Sequence, residues 1–171
     1  MQGLADFITV PAGPGDAAAL GRVHVAAWRE TYAGLLPQAY LDAMHPALQA
    51  RRFSLQLKRP SEVVLAAEGR DGLAGYCAGE VRGAEAEVST LYILRRAQGL
   101  GLGRRLLGDT ARVLAGRDAK SLRLWVLDGN TRAERFYAGL GGERVGERPA
   151  RGWGPGYHEI LYRWPDIGRL I

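Results

Sequence analysis

One cysteine, Cys77, is all the chain carries. No internal disulfide can form, and no cysteine cluster is left to hold a structural zinc. In its strand-like setting Cys77 reads as a small buried apolar residue, with a reactive thiol as the alternative. Histidine is almost as scarce: His24, His45 and His158 are too scattered for a metal triad, so they read as structural or surface residues and no metal is expected. A run of about eighteen apolar residues is missing, which excludes an apolar membrane-spanning helix. Residues 1–10 lack the basic and apolar regions of a secretion signal, so the cytoplasm is the expected compartment and a membrane is not an expected partner. Internal repeats and low-complexity tracts are missing too.

What is present suits one domain over residues 1–171, since 171 residues with 47% hydrophobic content fill a single core. The net charge of +5 raises the question of nucleic acid, but the basic residues are scattered rather than gathered in one aromatic-laced stripe.

Patterning gives an α/β chain. A strand is expected over residues 7–10, then a helix capped by Asp16 whose face includes Leu20, Val23, Ala27 and Trp28. Gly34 and Pro37 interrupt that pattern. A further helical stretch over 38–58, broken near His45 and Pro46, makes a flap over the sheet. Strands over 62–68 and 73–81 meet at Arg70-Asp71-Gly72, where Asp-Gly tolerates the positive φ of a tight turn. A third strand, 84–93, extends the antiparallel sheet, and strand 121–127, helix 131–140 and strands 143–147 and 157–164 follow.

Between the strand-like run 88–93 and a helix with Leu106, Leu107, Thr110, Ala111 and Leu114 on one face lies Gln98-Gly99-Leu100-Gly101-Leu102-Gly103. Its glycines accept positive φ and let a ligand approach the main chain, so that N–H groups converge on an anion at the positive end of the helix dipole. A plain tight turn is the alternative. A P-loop needs Lys and then Ser or Thr after its last glycine, whereas Gly103 is followed by Arg104 and Arg105. A dinucleotide fingerprint fails as well, because Arg104 or Leu106 stands where its third glycine belongs. The remaining pattern is Q-x-x-G-x-G, met by Gln98, Gly101 and Gly103. It resembles the acyl-CoA pyrophosphate loop of the GNAT superfamily of N-acetyltransferases. Downstream, Asn130, Ala133, Phe136 and Tyr137, followed by Leu140-Gly141, resemble that family's second cofactor segment, N-x-x-A-x-x-F-Y. The order and separation of the two segments also suit the family, and together they span residues 85–142.

The resemblance implies the GNAT fold, a mixed, mostly antiparallel sheet with a central parallel, splayed strand pair, flanked by helices. It also implies acetyl-CoA as co-substrate. The strand ending at Ile93 and the strand beginning at Ser121 would splay, leaving unpaired main-chain groups that bind the pantetheine arm like an extra strand. Ile93 falls where the family's backbone bonds pantetheine. Leu91 falls where an N–H faces the thioester carbonyl and would stabilise the oxyanion. Both side chains read as ordinary core. Gln98, Gly99, Leu100, Gly101, Leu102, Gly103 and Arg104 would surround the pyrophosphate, and a basic surface at Arg104, Arg105, Arg132 and Arg135 suits an anionic cofactor, with a solvated helix face as the alternative. Asn130 matches a cofactor-side polar residue, and a helix N-cap is its equal alternative. Periodicity places Tyr137 with Ala133, Phe136 and Leu140 on an apolar face. The family match makes it the general acid, since a phenol of pKa about 10 can protonate a thiolate whose conjugate acid lies near about 8.5.

An amine of pKa about 10.4 must lose a proton before or during attack. Glu87 resembles in position the glutamate base of the family's histone-modifying members, and counting along the strand gives it the parity of Leu91 and Ile93. Direct transfer to an ordinary carboxylate would be about six pKa units uphill, so a water relay or a raised pKa is needed. An exposed strand glutamate is the alternative reading, with Glu30, Glu80 and Glu85 as substitutes. Trp28, Tyr32 and Tyr40 in the flap, and Arg151, Trp153 and Tyr157 around a Gly-rich segment, occupy regions that shape acceptor specificity in the family. Core packing is the other reading of Trp28 and Tyr32. The expected activity is acetyl transfer from acetyl-CoA to a primary amine of a small molecule or peptide, by direct attack in a ternary complex. A non-catalytic acyl-CoA-binding sensor or interaction module is the first alternative, and nucleic-acid binding the next. A homodimer stays open, and the amine itself is not named by the sequence.

Overall fold

The computed structural model describes residues 3–150 and 152–171. Among them seven strands form one sheet: β1 (Ile8–Pro11), β2 (Glu62–Gly69), β3 (Gly72–Arg82), β4 (Glu85–Ile93), β5 (Ser121–Leu127), β6 (Glu143–Pro149) and β7 (His158–Trp164). Their order is β1-β2-β3-β4-β5-β7-β6, and only β4 and β5 run parallel. The helices are α1 (Ala17–Tyr32), α2 (Gln38–Ala43), α3 (Pro46–Gln56), α4 (Leu102–Ala115) and α5 (Thr131–Gly139). No helix among the described residues is long and apolar enough to cross a membrane.

The sheet is covered on both faces because its strand side chains alternate. On one face Val63, Leu65, Cys77, Val88 and Leu124 pack with Leu102, Leu106, Leu107 and Leu114 of α4. Each fully buried leucine of that helix contributes about 1.5–3 kcal/mol by removal from water. On the other face Val64, Ala66, Tyr76 and Ala78 meet Leu20 and Val23 of α1 and Phe53 of α3. Cys77 is wholly buried, and burial pushes its thiol up to about 12, which leaves it apolar filling rather than a nucleophile.

Several boundaries moved for identifiable reasons. Phe7 is core, and β1 runs from Ile8 to Pro11 at the sheet edge, where a residue without an N–H is tolerated. Asp16 does not cap α1 with its side chain; it accepts the Gly13 N–H at 2.8 Å and closes a turn before the helix. The flap breaks at His45, whose Nδ1 accepts the Ala47 N–H at 3.3 Å while Pro46 opens α3. The β2–β3 turn ends at Gly72 with φ of 87°.

One irregularity matters for the site. Val88 pairs with Gly79 and Thr90 pairs with Ala78, so Ser89 is an extra residue, a bulge. The bulge reverses side-chain parity along β4. Ala86 and Val88 before it, and Leu91 and Ile93 after it, share the α4 face. Glu87 therefore lies on the opposite face from Leu91 and Ile93, and the parity obtained by counting is corrected by the inserted residue.

Candidate active site

The parallel pair is in register only from Glu85↔Ser121 to Val88↔Leu124. Beyond that point β4 and β5 diverge. The bulge sits at this divergence, where it adds twist to β4. The Leu94 N–H donates to the Ala74 carbonyl at 2.8 Å, which fixes the alternation of the ladder. Thr90 and Tyr92 thus turn their backbone groups toward β3, while Leu91 and Ile93 turn theirs toward β5, which has moved away. Gln98 Nε2 donates to the Ile93 carbonyl at 2.7 Å, and its Oε1 is buried without a partner. The Leu91 backbone groups, the Ile93 N–H and the Gln98 Oε1 are thus left beside a cavity of about 420 Å³ that Leu91, Ile93 and Gln98 border.

At one end of the cavity the chain turns through Gly99 and Gly101, with φ of 79° and 84°, into α4. Glycine is required at both positions because an L side chain is strained there. No side chain caps α4, so the N–H groups of its first turn point outward without intrahelical acceptors. Gly103 has another reason: a Cβ there would meet Phe136 Cζ at 3.3 Å, so its absence lets α4 approach α5. Gln98, Gly99, Gly101, Leu102, Gly103 and Arg104 all border the cavity. Leu100 does not; it packs against the main core. The basic group divides as well. Arg104 and Arg132 reach the cavity, whereas Arg105 donates to the carbonyls of Phe7 at 2.6 Å and Leu4 at 3.0 Å, and Arg135 to Thr131 at 3.2 Å. Arg105 therefore ties the N-terminal turn to α4 rather than offering charge to a ligand.

Tyr137 and Asn130 border the same cavity. The capping and packing readings are met: Asn130 Oδ1 accepts the Ala133 N–H at 3.2 Å as the cap of α5, and the Tyr137 ring packs edge-on to Phe136 and Trp164 in the core. Burial pushes the Tyr137 phenol well above its usual value, so it stays protonated across the physiological range. That is the state a proton donor requires, but the same rise makes the phenol a weaker acid than a free tyrosine.

Glu87 is placed differently. Its carboxylate accepts from Arg123 Nε at 2.9 Å and lies 2.8 Å from Arg123 Nη2, and it does not border the cavity. Glu85 pairs with Arg123 and Arg163, Glu80 with Arg82, and Glu30 accepts the Arg95 N–H at 2.7 Å. Tyr32, expected in the acceptor region or the core, and Tyr92, which the sequence did not single out, both border the cavity, with hydroxyls 3.0 Å apart. Burial raises both phenols. Their residue type carried no signal, since only the fold brings positions sixty apart together. Trp153 stacks edge-on to Tyr40 with ring centroids 4.5 Å apart, and lies 6.1 Å from Trp28 and 6.2 Å from Tyr157. Arg151 lies outside the described residues. Among the described residues no group of three or more His, Cys, Asp or Glu is arranged to hold a metal ion.

The profile of the acetyltransferase (GNAT) family matches residues 25–141. The chain belongs to this family. An uncharacterized N-acetyltransferase, YuaI, of Bacillus subtilis strain 168 is 29% identical over 157 residues, covering 88% of each chain. Mycothiol acetyltransferase of Kineococcus radiotolerans is 41% identical over 83 residues, a stretch covering 48% of this chain and 27% of that protein. The fold is that of PaiA N-acetyltransferase from Thermoplasma acidophilum, solved in complex with coenzyme A, with a TM-score of 0.79 at 18% identity over 92% of this chain and 97% of that one.

Proposed function

We propose that the protein transfers an acetyl group from acetyl-CoA to a primary amine by direct attack within a ternary complex. The observation that carries this is the divergence of β4 from β5, which leaves the Leu91 and Ile93 backbone facing a cavity that ends at the uncapped start of α4. A pantetheine arm has the amide groups to satisfy such a strand edge and the orphaned Gln98 Oε1, and a pyrophosphate suits the N–H groups of the α4 turn. Arg104, Arg132 and Asn130 would complete the cofactor side.

In this mechanism the neutral amine nitrogen bonds to the thioester carbonyl carbon. The carbonyl oxygen takes the electron pair and is held by the Leu91 N–H. The carbon–sulfur bond then breaks, the thiolate leaves and Tyr137 supplies its proton. The amine's own proton goes to water, and we assign Glu87 as the terminal acceptor. That role requires a water bridge, because the carboxylate is engaged by Arg123 and stands outside the cavity wall. No cysteine is placed to form an acyl-enzyme, since the only one is sealed in the core.

The test is a panel of amines with acetyl-CoA, following thiol release and product mass. Acetylated amine forming at a rate dependent on both substrates is the expected result. Tight binding of CoA with no turnover across the panel would instead favour an acyl-CoA-binding module.

A further inference from the structure

A second cavity, of about 230 Å³, lies between α1, α3 and β3. Its lining and that of the first cavity share a single residue, Thr90. The walls are aromatic: Trp28, Tyr40, Phe53 and Tyr76 border it. Trp28 has its indole Nε1 buried without a hydrogen-bond partner, although it is a strong donor. Tyr40 is 41% exposed and Arg52 is exposed, so the cavity opens to solvent at their end.

Charge on this wall has one sign. Arg52 borders the cavity and has no ion-pair or hydrogen-bond partner among the described residues. No Asp or Glu borders it. The remaining polar wall is Gln49, Gln56, Thr90 and His24, whose Nδ1 lies 2.6 Å from the Tyr76 hydroxyl. Burial, assisted by Arg52, lowers the His24 imidazole to about 4, so it is neutral at pH 7. An unpaired guanidinium above aromatic walls suits a carboxylate attached to a flat apolar body. It opposes a second ammonium, which would meet its repulsion; the carboxylate nearest this wall, Glu62, is taken by Gln56 Nε2 at 3.0 Å and faces Arg59 at 3.8 Å.

We propose that this cavity holds the acceptor, and that the acceptor is an amine with a carboxylate at the far end of an aromatic body: the carboxylate meets Arg52, the body lies among Trp28, Tyr40 and Phe53, and the amine passes Thr90 toward the acetyl group. The inference rests on the acetyl-transfer reading above and adds the acceptor's chemistry to it.

A matched series tests it: 4-(aminomethyl)benzoate, benzylamine and 1,4-bis(aminomethyl)benzene share the ring and one aminomethyl group and differ only at the far end. The wild-type kcat/KM for the carboxylate is expected to exceed that for benzylamine by at least about tenfold, and that for the diamine by more, a ratio typical of one charge-assisted contact. Arg52→Gln should collapse the carboxylate-to-benzylamine ratio toward one, and Arg52→Lys should retain part of it. A diamine acetylated as well as the carboxylate, or a ratio unmoved by Arg52→Gln, overturns the inference while leaving acetyl transfer intact. If no amine turns over, calorimetric binding of the three compounds to the CoA-loaded protein separates the two claims. Ranked binding that depends on Arg52 supports the pocket and rejects the transfer reading, and equal or absent binding rejects the pocket.

Discussion

The first cavity, between β4, β5 and α5, is bordered mainly by residues delivered in short contiguous segments, 88–93, 98–99, 101–104 and 124–126. Around the second cavity, between α1, α3 and β3, they are aromatic side chains gathered from distant positions, such as His24 against Tyr76. The first construction depends on φ values and strand geometry, so it tolerates little change of residue at Gly99 or Gly101. The second depends on packing of side chains whose identities can vary without breaking the sheet. One half therefore suits an unvarying ligand, and the other leaves room for the acceptor to be set by a few side chains.

Tyr137 borders the first cavity and carries the largest expected effect. Tyr137→Phe removes one hydroxyl from a ring that stays packed against Phe136 and Trp164. kcat is expected to fall roughly a hundredfold with acetyl-CoA affinity kept, the lower part of the range for general acid catalysis. Pre-steady-state thiol release alongside calorimetry reads both. Unchanged chemistry would return Tyr137 to a purely packing role and leave the donor side without an acid.

His24 sharpens the comparison from the acceptor side, through stability rather than rate. Its imidazole has an unfolded pKa of about 6.5 and a folded value lowered to about 4. Between those values the unfolded chain binds the extra proton, so stability is full above pH of about 6.5 and is lost as pH falls toward about 4. The loss is expected to be about 2 kcal/mol, below the full shift because the ring keeps some contact with solvent. Denaturant titrations at pH 7 and 4.5 should show that loss in the wild type and not in His24→Gln, which keeps an amide for the Tyr76 hydroxyl. Equal pH sensitivity in both proteins would show that His24 is not held neutral by the fold.

The same contrast explains what could be read before any coordinates. The loop at Gln98 to Gly103, the cap at Asn130 and the positions of the strands along the chain depend on neighbours in sequence and are legible there, whereas the insertion of β7 between β5 and β6 is not. The splay of β4 from β5 followed from the family pattern. Glu87 was misplaced because the Ser89 bulge has no composition signal; one inserted residue reverses parity, and no count along the strand reveals it. Arg105 looked equivalent to Arg104, yet its partners, the carbonyls of Leu4 and Phe7, are about a hundred residues away. Of the aromatic wall only Trp28 and Tyr40 stand out in the sequence; Phe53, Tyr76 and the unpaired Arg52 join them through packing of α3 and β3, which no local pattern reveals.

Gly101→Val probes the donor backbone. At φ of 84° a β-branched residue is strained by roughly 1–2 kcal/mol, and relief would move the N–H groups that open α4. Acetyl-CoA affinity is expected to fall at least about tenfold, with the fold kept, since the nearest atom to a Cβ there is Leu4 Cδ2 at 3.6 Å. Wild-type affinity in a folded variant would remove the phosphate-binding role from this turn.

Glu87→Gln carries the smallest expected effect and tests the one donor-side role that depends on a side chain outside the cavity. The substitution keeps shape and a hydrogen-bonding oxygen for Arg123 but cannot accept a proton as a carboxylate does. If Glu87 receives the amine's proton through water, kcat at pH 7 should drop a few-fold, short of the full range for a directly placed base. Part of that loss should return as pH rises, because more amine then arrives neutral. Acetyl-CoA affinity should hold, since the carboxylate does not border the cofactor cavity. A pH–rate profile identical to wild type would confine Glu87 to its ion pair with Arg123 on the face opposite Leu91. The proton would then have to leave by water at the wall of the first cavity itself, where the Tyr32 and Tyr92 hydroxyls stand 3.0 Å apart.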